Sequence, residues 1–261
     1  MMKTHTFFTQ SPRRIFPLSI LTLSILLAGC QKPAEDLGPL ILALLGEGDN
    51  SSDRCSNSKL NFKTVEIPEV NSWESVHFAM DQYIVVGDKG TNRIMTSPNG
   101  LHWTTRQAGP LNEWSDIASG NNLLVAISRT GTNRVMISLD GAVWTAIVSE
   151  ADGNTAPAWE SIVYANGQFV ALGRSTGVLT SPDGLFWTRR STGENNGWSA
   201  VTYGNGIYVG VGGVFPSNDT QITSLDGMTW ESSSSGLPQS PKFWDIVYGK
   251  GVFVAVGDEV M

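Results

Sequence analysis

The chain is poor in the groups that most chemistry needs. Its 261 residues hold two cysteines and three histidines. Cys30 and Cys55 are too few for a disulfide framework. His5, His77 and His102 fall at no metal-ligand spacing, and Cys55 lies in a polar tether, so no metal and no cofactor is expected. Charged residues make up only 16 %, and 17 Lys+Arg against 24 Asp+Glu leave a net charge of -7. That balance argues against a nucleic-acid partner, because phosphate binding needs a basic face. Neither a phosphate loop nor a dinucleotide fingerprint is present. Gly210-Val211-Gly212-Gly213 reads as close strand packing and a turn.

What is abundant is glycine, at 28, and tryptophan, at 9, in a folded and turn-rich composition. The tryptophans mark a repeat. Ser181-Pro182-Asp183-Gly184-Leu185-Phe186-Trp187 has counterparts ending at Trp103, Trp144 and Trp230, in steps of 41, 43 and 43 residues. The recurring positions are Ser97, Asn99, Gly100 and Trp103; Ser138, Asp140, Gly141 and Trp144; Ser181, Asp183, Gly184 and Trp187; and Ser224, Asp226, Gly227 and Trp230. A period of that size sets the architecture before any local argument does.

Each unit opens on an aromatic anchor, namely Trp73, Trp114, Trp159, Trp198 or Phe243. Fourteen residues later comes a small residue: Gly87, Ser128, Gly173, Gly212 or Gly257. Two apolar runs lie between, with Asn166-Gly167, Asn205-Gly206 and Lys250-Gly251 at the midpoint of the last three. Asn-Gly between β-rich runs predicts a tight hairpin, because its turn needs positive φ at both central residues. A third run (93–96, 134–137, 177–180, 220–223) leads through the Ser-x-Asp-Gly turn into a fourth that begins at the Trp. The Asp accepts backbone N–H groups, the Gly takes positive φ, and the Trp buries its face nearby. The fold class is therefore all-β, a β-propeller of four-stranded antiparallel blades. Five hairpins but four Asp turns predict five blades with the last incomplete, closed by a strand over 61–67 pairing with the last blade. The alternative is a fragment of a six- or seven-bladed ring.

Three segments follow: a signal over 1–29, a lipidated N-terminus and flexible tether over 30–58, and the propeller over 59–261. Lys3, Arg13 and Arg14 precede an apolar stretch from Ile15 to Leu27, too short to span a bilayer comfortably. An ordinary signal peptide or an anchor helix would also look like this. Leu27-Ala28-Gly29-Cys30 resembles the bacterial lipobox, and the resemblance implies lipidation of Cys30. The expected location is then an exported, lipid-anchored position in the cell envelope, at the outer membrane. Losing the three basic residues of the signal takes the net charge from -7 to -10. Leu40 to Leu45 is an apolar run within the tether, to lie against membrane or domain.

The Ser-x-Asp-Gly-x-x-Trp turns resemble the Asp-box of the sialidase-like, or BNR-repeat, propellers, one residue shorter between Asp and Gly. The resemblance covers about 59–261 and implies structural turns, which carry no activity by themselves. A glycosidase needs two carboxylates across a pocket. Glu74 and Glu160, each following an anchor aromatic, are the better candidates, and otherwise read as solvated loop carboxylates. No catalytic residue is assigned. Arg93 and Arg134, each after Thr-Asn, are the candidate ligand-face residues, while Gly177 and Thr220 stand at that place in the next two units. The loops that join units are polar and variable in length, where recognition usually sits. The expectation is a non-catalytic binding or scaffold module for an unknown protein or glycan, attached to the membrane by its lipid. The alternatives are a sialidase-like glycoside hydrolase and an envelope-complex assembly factor.

Overall fold

The computed structural model describes residues 41–45, 61–148, 157–175, 177–193, 195–213, 219–234 and 242–258. Cys30, Cys55, His5 and the signal lie outside them. A first hairpin pairs β1 (Ile41–Leu45) with β2 (Asn61–Val65). Blade 1 follows with β3 (Trp73–Ala79), β4 (Gln82–Gly87), β5 (Ile94–Ser97) and β6 (Thr104–Arg106). Blade 2 is β7 (Trp114–Gly120), β8 (Leu123–Ser128), β9 (Val135–Ser138) and β10 (Thr145–Ile147). Blade 3 is β11 (Trp159–Ala165), β12 (Gln168–Gly173), β13 (Gly177–Ser181) and β14 (Thr188–Ser191). Blade 4 is β15 (Trp198–Gly204), β16 (Ile207–Gly212), β17 (Asp219–Ser224) and β18 (Glu231–Ser234). Blade 5 has two strands, β19 (Lys242–Gly249) and β20 (Val252–Asp258).

Each complete blade is an antiparallel meander in sequence order, which is the blade of a β-propeller. The hairpin turns have positive φ at both central residues, including Asn166-Gly167, Asn205-Gly206 and Lys250-Gly251. Met80-Asp81 and Asn121-Asn122 do the same without glycine. The Trp of each Asp turn precedes the fourth strand rather than opening it, since those strands start at Thr104, Thr145, Thr188 and Glu231. Phe243 pairs with Gly257 as Trp73 pairs with Gly87, so Phe243 is the anchor of the fifth unit.

The strand over 61–65 pairs with Ile41–Leu45, and among the described residues no ladder joins it to the last blade as the closure expectation had it. Part of the segment read as tether is therefore a strand. Gly38-Pro39 and Gly46 bound the apolar run at 41–45, but it is short and its partner lies beyond a 15-residue polar stretch.

The core is a series of layers between consecutive blades. Ile84 and Val86 of blade 1 meet Leu124, Ala126, Met136 and Trp144 of blade 2. Val125 and Ile127 of blade 2 meet Phe169, Ala171 and Trp187 of blade 3. Val170 and Leu172 meet Tyr208 and Trp230 of blade 4, and Val209 and Val211 meet Phe253 and Ala255 of blade 5. Alternate residues of each second strand thus face opposite neighbours. β8 and β12, with a blade on either side, are buried along their whole length.

Candidate binding surface

The two ends of the blades differ in construction. At one end lie the tight hairpin turns and the Asp turns; at the other lie the second-to-third strand connections and those from the fourth strand of one blade to the first of the next. At the turn end, Ser181 Oγ accepts the Gly184 N–H at 2.8 Å, and Asp183 Oδ1 accepts the Leu185 and Phe186 N–H groups at 2.9 Å. Trp187 Nε1 donates to the Gly184 carbonyl at 2.8 Å. Ser97, Asn99, Gly100 and Trp103 repeat these bonds, as do Ser138, Asp140, Gly141 and Trp144, and Ser224, Asp226, Gly227 and Trp230. Backbone donors hold the Asp226 carboxyl down at about 2, the Thr229 and Met228 N–H groups acting most strongly. Asp140 and Asp183 are lowered by the same kind of bond.

The Asp turns also join blades, which no sequence argument anticipated. Gln82 Nε2 donates to the Asp140 carbonyl of the next blade at 2.7 Å. Gln168 does so to Asp226 at 2.6 Å, and Asn121 to Pro182 at 3.0 Å. A Cβ on Gly184 would lie 2.5 Å from Leu123 Cδ2. The tryptophans accordingly fill the seams between blades: Trp144, Trp187 and Trp230 are buried, while Trp103, on the near face of blade 1, is half-buried.

At the loop end, side chains tie the connections together in advance of any partner. Glu69 accepts the Thr91 N–H at 2.7 Å and the Asn92 side-chain amide at 2.8 Å. Asn112 Nδ2 donates to the Thr132 carbonyl at 2.8 Å, as Asn71 does to Asn92 at 2.7 Å. Gly131 has φ +90, and a Cβ there would sit 1.9 Å from Asn112 Oδ1, so only glycine fits. Arg93 and Arg134 lie at this end, both half-buried. Each folds back on its own connection, Arg93 Nε to the Gly90 carbonyl at 3.4 Å and Arg134 Nε to Gly131 at 3.0 Å. Arg134 Nη1 also reaches the Pro157 carbonyl of blade 3 at 2.8 Å, so it fastens two blades.

A bulge in every first strand shapes the inner wall. Register shifts between Trp73 and Ser75, between Trp114 and Asp116, between Trp159 and Ser161, between Trp198 and Ala200, and between Phe243 and Asp245. A bulge re-aims the extra residue. In blades 1 and 3 that residue is Glu74 or Glu160, both buried. One guanidinium joins them: Arg129 Nη2 to Glu74 at 2.8 Å and Nε to Glu160 at 2.8 Å. Arg174 Nε meets the other Glu160 oxygen at 2.8 Å, with its side chain 60 % exposed. Burial works against the charge on Arg129, but Glu160 and Glu74 outweigh it and raise its pKa. The two carboxylates weighed as a catalytic pair thus spend acceptor positions on arginines. Arg129 and Arg174 follow their second strands directly, the position held by Asp88 in blade 1, whose Oδ1 is buried with no hydrogen-bond partner among the described residues.

An open cleft of about 270 Å³ runs along the first strands of blades 1 to 3. Its wall is polar and cross-linked between blades. Asp116 accepts the Ser75 hydroxyl at 2.7 Å and the Ile162 N–H at 2.9 Å. His77 Nε2 and Ser119 Oγ share a hydrogen bond at 2.8 Å. Burial lowers the His77 pKa, against an opposing pull from Asp116. Val201 N–H donates to Ser161 Oγ at 3.3 Å. Sequence reasoning missed this wall because its partners are 40 to 46 residues apart. It also passed over Gly173-Arg174-Ser175-Thr176-Gly177, which has the Gly-x-Ser-x-Gly spelling of a nucleophile elbow. That motif requires a strand running into a helix, and here it joins two strands, β12 and β13. Among the described residues no group of three His, Cys, Asp or Glu is arranged to hold a metal ion, and no helix is long and apolar enough to cross a membrane.

No protein-family model matches the chain, and no curated protein matches it. Solved structures do. The fold is that of known β-propellers. YCF48 bound to D1 peptide is similar at 15 % identity and a TM-score of 0.56, over 86 % of this chain and 66 % of that one. YCF48 from Cyanidioschyzon merolae gives 14 % identity and 0.54, over 71 % and 63 %. A chain of a nidogen/laminin complex gives 14 % and 0.57, over 75 % and 76 %. The chain spans less than two thirds of the length of the two YCF48 chains. At these identities the likeness establishes the fold alone.

Proposed function

We propose that this chain is a lipid-anchored envelope protein whose propeller is a non-catalytic docking module for another protein. The observation that carries the binding reading is the loop-end cluster of Arg129, Arg174, Glu74 and Glu160. There Arg174, its side chain 60 % exposed, is held by Glu160, two residues along β11 from Ile162 of the open polar cleft. Rigid, charge-assisted groups at the mouth of a concave wall recognise carboxylates and backbone carbonyls of a partner at low ordering cost. Two of the similar structures are, by their names, bound to a peptide or held in a protein complex, and a protein partner is preferred to a glycan on that ground. The lipobox resemblance at Cys30 supports the anchor. An assembly role in an envelope complex is one form of the same reading.

The test is site-specific photo-crosslinking in the native host. A benzophenone side chain is placed at Lys89, exposed at the loop end, or at Leu139, exposed at the turn end. The expected result is one discrete protein adduct from position 89, lost when Arg174 is changed to Glu, and none from 139. Adducts from 139 alone, or none from 89, would overturn the assignment of the loop end. A glycan rather than a protein in the adduct would overturn the choice of partner.

A further inference from the structure

The Asp turns bury their tryptophans and turn other apolar side chains outward. In blades 2, 3 and 4 each turn carries two of these: Leu139 and Val143, Leu185 and Phe186, Leu225 and Met228. All six are 42 to 76 % exposed, and all stand at the x places of Ser-x-Asp-Gly-x-x-Trp. The hairpin turns at the same end are polar, namely Asn121-Asn122, Asn166-Gly167 and Asn205-Gly206. Single exposed apolar residues are ordinary, but a repeated set at one end of a molecule marks an interaction surface. The latches from Gln82, Asn121 and Gln168 hold each turn against the preceding blade, so the set is fixed in place.

We propose that these three turns enter the headgroup region of a zwitterionic bilayer leaflet, the one that holds the lipid at Cys30, an inference that rests on the lipid anchor proposed above. Three observations select a bilayer. First, the backbone of the turns is prepared to leave water. Asp140 accepts the Ala142 and Val143 N–H groups, Asp183 those of Leu185 and Phe186, and Asp226 those of Met228 and Thr229, all at 2.8–2.9 Å. The donors behind the apolar side chains are thus already met when the turn reaches an apolar boundary. Second, the side chains stand out on turns, and no Asp-turn residue lines the cleft. Leu, Val, Phe and Met share apolar character but not shape, which suits acyl chains, where no matching pocket is needed. Third, the anchor is within reach. Ile41 pairs with Val65, four residues before Glu69, which is bonded at the loop end. The 11 residues from Cys30 to Ile41 span up to about 38 Å, whereas a seven-residue strand is only about 23 Å long. Charge selects the lipid. The turns over 97–104, 138–145, 181–188 and 224–231 hold no Lys or Arg, while Asp140, Asp183 and Asp226 are carboxylates, so an anionic surface repels this end. In this orientation the loop end, with Arg174, faces away from the membrane.

The test incorporates a dansyl amino acid at Val143, in an Asp turn, or at Lys89, exposed at the loop end, in the full chain as isolated from the envelope. The protein is mixed with phosphatidylethanolamine–phosphatidylcholine vesicles that carry a nitroxide-labelled lipid. Emission from 143 is expected to shift to the blue and to be quenched, and emission from 89 to do neither. Phe186→Asp combined with Leu225→Asp should cut the quenching at 143 about fivefold, because interfacial binding scales with the apolar area inserted. No quenching at 143, equal quenching at 143 and 89, or quenching undiminished in the double variant would overturn the proposal. Shielding of 143 by detergent-solubilised envelope protein but not by vesicles would assign the turns to a protein and overturn it as well. Stronger quenching when anionic phosphatidylglycerol is added would overturn the choice of lipid. The mass of the N-terminal peptide of the same sample keeps the two readings apart. An acyl-free Cys30 would refute the anchor, and the contrast between 143 and 89 in that chain would still decide for or against the turn surface.

Discussion

Replacing Gly184 by alanine separates two costs that the Asp turn combines. Gly184 has φ +76, and a Cβ there would lie 2.5 Å from Leu123 Cδ2 and 3.2 Å from Val125 Cγ2 of the preceding blade. Holding a non-glycine residue in the left-handed region costs about 1–2 kcal/mol. Forcing an extra methyl into a filled seam costs about 1–3 kcal/mol more. Gly206 has nearly the same φ, +81, but no atom within 4 Å of the added Cβ. It reports the backbone cost alone. Gly206→Ala should therefore destabilise by about 1–2 kcal/mol and Gly184→Ala by about 2–5 kcal/mol. For a chain of this size each kcal/mol lowers Tm by about 2–4 °C. Urea midpoints at constant slope, with thermal scans beside them, give both values. Equal losses for the two variants would refute the claim that Asp-turn glycines are packing positions between blades.

Arg129→Met should be costly, about 3–5 kcal/mol, because it leaves two buried carboxylates without their shared cation. Urea midpoints of the variant read the loss, and a change below about 1 kcal/mol would refute the claim that Arg129 holds the two carboxylates together. Asp226, at about 2 in the folded chain, is depressed below its unfolded value, so its contribution is present above pH 4 and fades as the pH falls toward 2. Asp226→Asn should remove that dependence at a cost of roughly 1 kcal/mol, given its exposure, as read by acid titration of the unfolding midpoint. Cys30→Ala should move the protein out of the membrane fraction, and continued sedimentation with membranes would refute the lipobox reading.

The repeat made the blades legible. A 41- to 43-residue period, Asn-Gly turns and apolar runs sufficed for four full blades and the fifth hairpin. Turns such as Met80-Asp81 show why the period matters more than turn chemistry: nothing local marks that pair, and only its place in the unit does. The site was less legible. That Glu74 and Glu160 share Arg129 follows from a bulge, and a bulge is an event of pairing between strands, written in no single strand. Arg93 and Arg134 were readable as equivalents, but their self-directed bonds depend on how each connection curls. The strand at 41–45 was hidden because its partner is set by tertiary pairing, not by spacing.

The side-chain latches onto the Asp turns all lie at one end. Gln82, Asn121 and Gln168 grip the Asp turns of their neighbours there, while the connections of most variable length emerge at the other. Mutations that remodel the second end leave those grips untouched. A lineage can therefore recharge the described loop-end connections without disturbing the grips at the Asp turns, and partner choice is free to drift on a scaffold that stays the same.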